Sequence, residues 1–348
     1  MADRLGCDRQ RNLRTAWPCH GRGAGRLYPY RYRQTASARA RAPGCVPTAA
    51  RLAAVSTRPA LYLVDASLYV FRAWHSMPDE WHDAEGWPLN AVQGFARFLL
   101  ELLERERPQH IVVAFDEALD GCFRNRLYPA YKANRPPAPE ELKRQFAWCK
   151  ALCQALGLNT LAHPEYEADD LIGSALAQGR SHGLRGVIVS ADKDLSQLLQ
   201  DDDEQFDFAR AQRWGVSGVK AKHGVHPHQV ADYLALAGDA VDNIPGISGI
   251  GQKTAAALIS HFGSLDALLE RLHEVPFLRL RGAAGIARRL TEQREHARLW
   301  QQLTRIAQDA PLPVAAPFTR VTSDSAALQA FAERARLGPL TRRRLLSA

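Results

Sequence analysis

The 348-residue chain has no run of 18 apolar residues, so it offers no segment that reads as a membrane-spanning helix. Its six cysteines (7, 19, 45, 122, 149 and 153) show neither paired spacing nor a zinc pattern, and Cys149 and Cys153 stand one helical turn apart, as residues of one helix face do. That usage fits a reducing compartment, and a cytoplasmic protein is expected. No serine or cysteine is set beside a base in a way that suggests covalent catalysis. Lysine is missing from residues 1–58, which hold 12 Arg against Asp3 and Asp8, a net of +10. The other 290 residues hold 33 basic and 35 acidic side chains, a net of −2, so the overall +8 belongs to the leader. The high pI therefore says nothing about the partners of the folded part. The leader also lacks an apolar signal core and any sustained period of 2 or 3.6. It is expected to be disordered, or to precede the true start near Val55–Pro59.

From Ala60 the pattern is orderly. Leu61–Val64, Ile111–Phe115 and Gly186–Ser190 are short apolar runs of the kind buried in a parallel sheet. The segments between and after them read as helices from Asn90, its cap, to just before Pro108, and over 140–156 and 168–182. Strands alternating with helices predict an α/β fold with a mostly parallel central sheet flanked by helices. In such sheets, sites form beyond the carboxyl ends of the strands. Asp65, Asp116 and Asp192 each stand at such an end. One aspartate there is ordinary turn chemistry, whereas three of three suggest a convergent anionic pocket.

Tyr166-Glu167-Ala168-Asp169-Asp170 adds three carboxylates at a helix start. A like-charged pair at about 4 Å costs roughly 4 kcal/mol at an effective dielectric of ~20, so the group needs cations, protons or wide exposure. A plain acidic first turn is the ordinary alternative. The pocket offers only oxygen donors, which favours Mg²⁺ or Mn²⁺ over zinc. His223, His226 and His228 crowd together but lack nearby carboxylates. Carboxylates beside a phosphate site point to two-metal phosphodiester hydrolysis.

Ile244-Pro245-Gly246-Ile247-Ser248-Gly249-Ile250-Gly251-Gln252-Lys253-Thr254 supplies that site. Gln252 separates Gly251 from Lys253, which spoils a P-loop, and a helix precedes the segment where a dinucleotide fingerprint needs a strand. A tight glycine turn between helices instead exposes backbone N–H groups to a phosphate without reading sequence.

Together these stretches resemble the 5′-nuclease family: the 5′→3′ exonuclease domain of bacterial DNA polymerase I, its free-standing relatives and the flap endonucleases. The resemblance spans about residues 60–340 and rests on VDAS (64–67), FRAWH (71–75), VVAFD (112–116), FR (123–124), YKANRPP (131–137), YEADD (166–170), SADKDL (190–195) and GDAVDNIPGISGIGQKTA (238–255). It implies a PIN-like 5′-nuclease fold with a helical helix-hairpin-helix subdomain. Since no polymerase region follows, a free-standing member is expected. The implied metal acids are Asp65, Asp116, Glu167, Asp169, Asp170, Asp192, Asp194, Asp239 and Asp242, with Asp169 between two ions. Arg72, Arg124, Lys132 and Arg135 match the family's catalytic basic residues. Tyr131 is placed to stack on a base, and Gly246, Gly249, Gly251, Lys253 and Thr254 to bind nucleic acid.

The expected organisation is a leader at 1–58 and a metal-binding α/β domain at 59–225 with a helical arch near 120–140. A helix-hairpin-helix DNA-binding subdomain follows at 226–310, then an extension at 311–348. The implied activity is structure-specific 5′→3′ exonuclease and 5′-flap endonuclease cleavage of DNA in replication and repair. It would use two or more Mg²⁺ or Mn²⁺ ions, with K⁺ at the helix-hairpin-helix. The expected partner is DNA with 5′ ends, flaps or nicks, bound by a monomer in the cytoplasm. A catalytically silent DNA-junction binder and an RNA-cleaving relative are the rival readings.

Overall fold

The computed structural model describes residues 57–117 and 121–348, so nearly all of the 1–58 leader lies outside it. The expected strands appear as β1 (Ala60–Asp65) and β2 (His110–Ala114), with the third at Arg185–Val189. Between the first two lie α1 (Ala66–Ser76) and α2 (Asn90–Glu106). Asn90 is not the cap of α2. It is the helix's first residue, its amide donates to the Trp74 carbonyl at 3.0 Å, and the buried Gln145 carbonyl takes the Ala91 and Val92 amides instead. After β2 come α3 (Phe123–Leu127), α4 (Glu140–Ala155), β3 (Asn159–Leu161) and α5 (Ala168–Ser181). The Arg185–Val189 strand is β4, followed by β5 (Glu204–Asp207) and β6 (Gln212–Trp214).

The sheet order is β3-β2-β1-β4-β5-β6; β1 to β5 run parallel and β6 returns antiparallel. Alternate residues of β1, β2 and β4 point to opposite faces, as the two-residue strand period requires. Tyr62, Val64, Ile111, Val113, Val187 and Val189 pack with α1, α2 and α4; Leu61, Leu63, Val112, Ala114 and Ile188 pack with α5.

The rest is helical: α6 (Val216–His223), α7 (Val230–Ala237), α8 (Gln252–Phe262), α9 (Leu265–Glu270), α10 (Ala283–Glu292) and α11 (Arg294–Thr304). Their apolar faces join the α5 side of the sheet in one continuous core. Residues 311–348 return to the start of β2: the Phe318 carbonyl accepts the Ile111 amide at 3.0 Å, and Arg320 donates its amide to the Gln109 carbonyl at 2.9 Å. There α12 (Ser325–Arg334) joins the core beside α4, and α13 (Pro339–Leu346) adds Leu345. Among the described residues no helix is long and apolar enough to cross a membrane.

Candidate metal centre and phosphate loop

The parallel strands deliver their terminal aspartates to one edge of the sheet, and nearby hydroxyls and amides orient them. Asp65 ends β1 and caps α1, one oxygen accepting the Leu68 amide at 3.1 Å and the other the Ser190 hydroxyl at 2.8 Å. Beyond β2, Asp116 accepts the Ala168 amide at 2.7 Å and donates its own amide to the Ser67 hydroxyl at 2.9 Å. Asp192 follows β4; its amide donates to Ser190 Oγ at 3.1 Å, and its carboxylate accepts the Asp194 amide at 2.9 Å. Gln205 holds this loop from β5 by donating to the Ser190 and Asp192 carbonyls. Ser67 and Ser190 stand within the VDAS and SADKDL motifs but were given no role there, and Gln205 was not singled out in the sequence. The serines carried a faint signal, each lying two residues from a strand-end aspartate.

Crowding leaves its electrostatic mark here. Burial, reinforced by Asp116 and Asp192, pushes the Asp65 carboxyl up to about 7. Burial and then Asp192, Asp65 and Asp116 raise Asp169 well above the usual carboxylate range. Among the described residues no hydrogen bond reaches its side chain. Asp194 is raised to about 7 by burial and by Asp192, with Asp239 and Asp242 adding to it. Its Oδ1 is buried without a hydrogen-bond donor, although Lys193 Nζ lies 3.3 Å away. Lys193 also pairs with Asp239.

The back wall is different, and the structure revises several expectations there. Arg124 is 2% exposed and sends two 2.7 Å bonds to Asp170, one of 3.0 Å to Glu167, and others to the Leu303 and Arg305 carbonyls. A guanidinium has five N–H donors, so none is left for a substrate phosphate. Asp170 is fully buried, and its oxygens also accept the Glu167 and Ala307 amides. Arg124 and Asp170 thus tie α3, α5 and the end of α11 together rather than facing the pocket. Tyr131 is also enclosed, 3% exposed, with the single proton of its hydroxyl shared between Glu167 and Asp242 at 2.9 and 3.1 Å. The ring has no open face for a base.

Glu167 lies at the seam of the two zones. Burial would raise its carboxyl, but Lys132 and Arg124 outweigh burial and lower it. The segment expected as an arch consists of α3 and a series of turns folded onto the Asp239–Asn243 loop. Lys132, at φ 55°, donates its amide to the Asp242 carbonyl and its ammonium to Glu167. Arg135 donates to Asp242 at 2.7 Å and remains half-exposed. Arg72, on α1, is anchored to Asp207 at 3.5 Å, a partner not anticipated in the sequence.

The glycine loop follows the Asp239–Asn243 turn. Asp239 and Ile244 exchange amide-to-carbonyl bonds of 2.8 Å, and the Ile247 amide reaches the Leu236 carbonyl at 2.9 Å. Gly246 has φ 67°, and a Cβ there would lie 2.4 Å from the Gly238 nitrogen, so two backbone strands touch where no side chain fits. Gly249 takes φ 73°, and Gly251 caps α8 without a side-chain hydrogen bond. The first amides of α8 are therefore open to an anion, with Lys253 exposed and Thr254 half-buried beside them.

Among the described residues no three His, Cys, Asp or Glu side chains are drawn tightly enough to cage an ion as they stand. The donor set nevertheless fits a hard divalent cation: it is all oxygen, carries excess negative charge, and holds Asp194 Oδ1 buried without a donor. Asp65, Asp116, Glu167, Asp169, Asp192, Asp194, Asp239 and Asp242 act on one another electrostatically around this pocket, whereas Asp170 is turned away onto Arg124.

The family profile for the 5′-3′ exonuclease N-terminal resolvase-like domain matches residues 60–224, and that for the 5′-3′ exonuclease C-terminal SAM fold matches residues 225–326. The chain is 39% identical over 210 residues to a 5′-3′ exonuclease of Aquifex aeolicus, covering 60% of this chain and 72% of that protein. It is 41% identical over 256 residues to DNA polymerase I of Pseudomonas aeruginosa, 73% of this chain but 28% of the polymerase. With DNA polymerase I of Rhizobium leguminosarum it shares 39% over 259 residues, 72% of this chain and 25% of that protein. The chain thus spans about a quarter of the length of these polymerase relatives. Its fold matches the T5 D15 protein crystallised with metal ions (TM-score 0.58, 19% identity, 83% of this chain and 97% of that one). It also matches the catalytic core of Rad2 in complex with DNA substrate (TM-score 0.54, 16% identity, 85% and 94%).

Proposed function

The chain belongs to the 5′-3′ exonuclease family, and from that premise we propose that it is a structure-specific nuclease cutting DNA at free 5′ ends and 5′ flaps in replication and repair. The observation that carries this reading is the set of converging strand-end carboxylates, which repel one another and leave Asp169 and Asp194 short of donors, beside an open phosphate loop. A silent junction binder has no use for so costly a cluster.

Mg²⁺ or Mn²⁺ is the proposed cofactor, two or more ions held by Asp65, Asp116, Glu167, Asp169, Asp192, Asp194, Asp239 and Asp242. When bound, such ions acidify water and offset charge on the attacking and leaving oxygens. The Ser190 hydroxyl and the Ala168 amide hold the Asp65 and Asp116 carboxylates in orientation, so these donors are fixed in advance. Lys132 sits on Glu167 with about a quarter of its side chain exposed, and its ammonium is proposed to pair with a scissile phosphate. Arg135, half-exposed on Asp242, supplies a second cation. Gly246 to Thr254 hold the duplex through backbone amides with Lys253 adding charge, and a K⁺ ion is proposed at the carbonyls of this loop. Arg72 is proposed to act near the site from α1. The protein is proposed to act as a monomer in the cytoplasm.

A labelled 5′-flap DNA incubated with Mg²⁺ and with EDTA tests the reading. Cleavage at the junction only with Mg²⁺ is expected; binding without cleavage under both conditions overturns it in favour of the silent binder. An RNA flap cut in preference to DNA would reassign the substrate.

A further inference from the structure

Beside the acid loop, the β5–β6 hairpin and α6 border an open cleft of about 400 Å³, lined by Ala191, Asp207, Arg210, Arg213, Trp214 and Lys222. Ala191 lies between Ser190 and Asp192, so one wall is the backbone that carries the acids. The volume falls within the range of small-ligand sites. We propose that this cleft is a nucleotide subsite for the strand being cut, with one base stacked on Trp214 and its phosphate paired with Lys222 and Arg210. The proposal rests on the nuclease reading.

The Trp214 ring is fixed from behind. Its Nε1 donates to Ser196 Oγ at 3.4 Å, and Gly218 lets α6 pack so close that an added Cβ would lie 2.7 Å from Trp214 Cβ. Above the ring lies Lys222 Nζ, 5.5 Å from its centre and without a carboxylate partner among the described residues. A flexible side chain with an unneutralised charge thus covers a flat aromatic surface, an arrangement a base and its phosphate can replace.

The other charges sort by role. Arg213 stacks 3.7 Å over Phe206 and bonds Glu106 and Glu204 at 2.7 Å each, so it builds the wall. The Arg210 side chain is 67% exposed and shares Asp207, the one acid lining the cleft, with Arg72, so no lining acid is left over for Lys222. An aromatic shelf, surplus positive charge and a wall shared with the acid loop favour a nucleotide over a simple anion.

The test uses the full chain and a 5′-flap DNA carrying a single abasic site stepped along the cut strand, with affinity measured in EDTA. The wild type should lose about 5- to 150-fold at one position. W214A should lose a similar factor on intact DNA and nothing further when the abasic site occupies that position. K222A and R210A should each reduce the slope of log affinity against log salt by about 0.7. W214F keeps a ring, so its near-normal affinity separates loss of stacking from loss of fold. The proposal is overturned if W214A and the abasic site penalise binding independently at every position, or if W214A and K222A bind as tightly as the wild type with unchanged salt slope. Cleavage of the same DNA in Mg²⁺ is read separately. Its failure in the wild type removes the nuclease reading, while the abasic pattern still decides the subsite.

Discussion

Asp169 and Asp170 are neighbours at the start of α5, yet they enter opposite surroundings. Asp170 points inward and is saturated by the Arg124 guanidinium and two backbone amides. Asp169 points to the sheet edge, where it meets Asp65, Asp116 and Asp192 and no donor. The same carboxylate is a structural tie on one side of a helical turn and a charge in need of a cation on the other. The difference lies in the partner: burial penalises both, and only Asp170 has its own counter-charge.

Substituting one residue from each side tests this contrast most severely. Asp192→Asn should bring flap cleavage below detection while the unfolding midpoint in urea stays at or above that of the wild type. Wild-type cleavage rates in that variant would remove the pocket from the chemistry. Arg124→Ala should cost about 3–5 kcal/mol of folding stability by stranding Asp170 in the interior. Arg124→Ala combined with Asp170→Ala should recover part of that loss in the same urea titration. If Asp169→Asn destabilises as much as Asp170→Asn, the two faces are not distinct.

A pH titration probes the front face alone. Asp65 and Asp194 each rise from an ordinary carboxylate value near 3.8 to about 7 in the folded chain. A folded-state value above the unfolded one means stability is greatest below pH 4 for these groups and is lost as pH climbs toward 7. In EDTA, the urea midpoint should therefore fall between pH 4 and 7, a tenfold change in a carboxylate's proton affinity being worth about 1.4 kcal/mol. Added Mg²⁺ should flatten that fall, and a flat profile in EDTA would show that the acids do not strain the fold. The mildest change is Lys253→Ala, which should leave the urea midpoint unmoved and reduce the salt slope of duplex binding by about 0.9.

The strand-end acids were legible in the sequence because each follows a continuous apolar run whose length fixes where the strand stops. The parallel sheet followed from those runs and the helices between them. The short strands β3, β5 and β6 were not visible, since Asn159–Leu161, Glu204–Asp207 and Gln212–Trp214 are too polar or too short to show a period, and pairing alone makes them strands. The roles of Arg124, Asp170 and Tyr131 were also hidden. Direction around a helix turn depends on what α11 and residues 303–307 bring to the far side, and nothing local in YEADD encodes it.

The knot of backbone between Leu236 and Ile247 has a consequence for where a strand is broken. Asp239 and Asp242 stand just ahead of the glycine loop, and the intervening turn is closed by the reciprocal Asp239–Ile244 bonds, by the Gly238–Gly246 contact and by Trp300 on the Gly246 carbonyl. No side-chain rotamer can lengthen or shorten that path. On the proposed reading the protein therefore carries a ruler: the interval from gripped duplex to cut bond is set in main-chain atoms, so the incision is measured from the junction whatever the bases there.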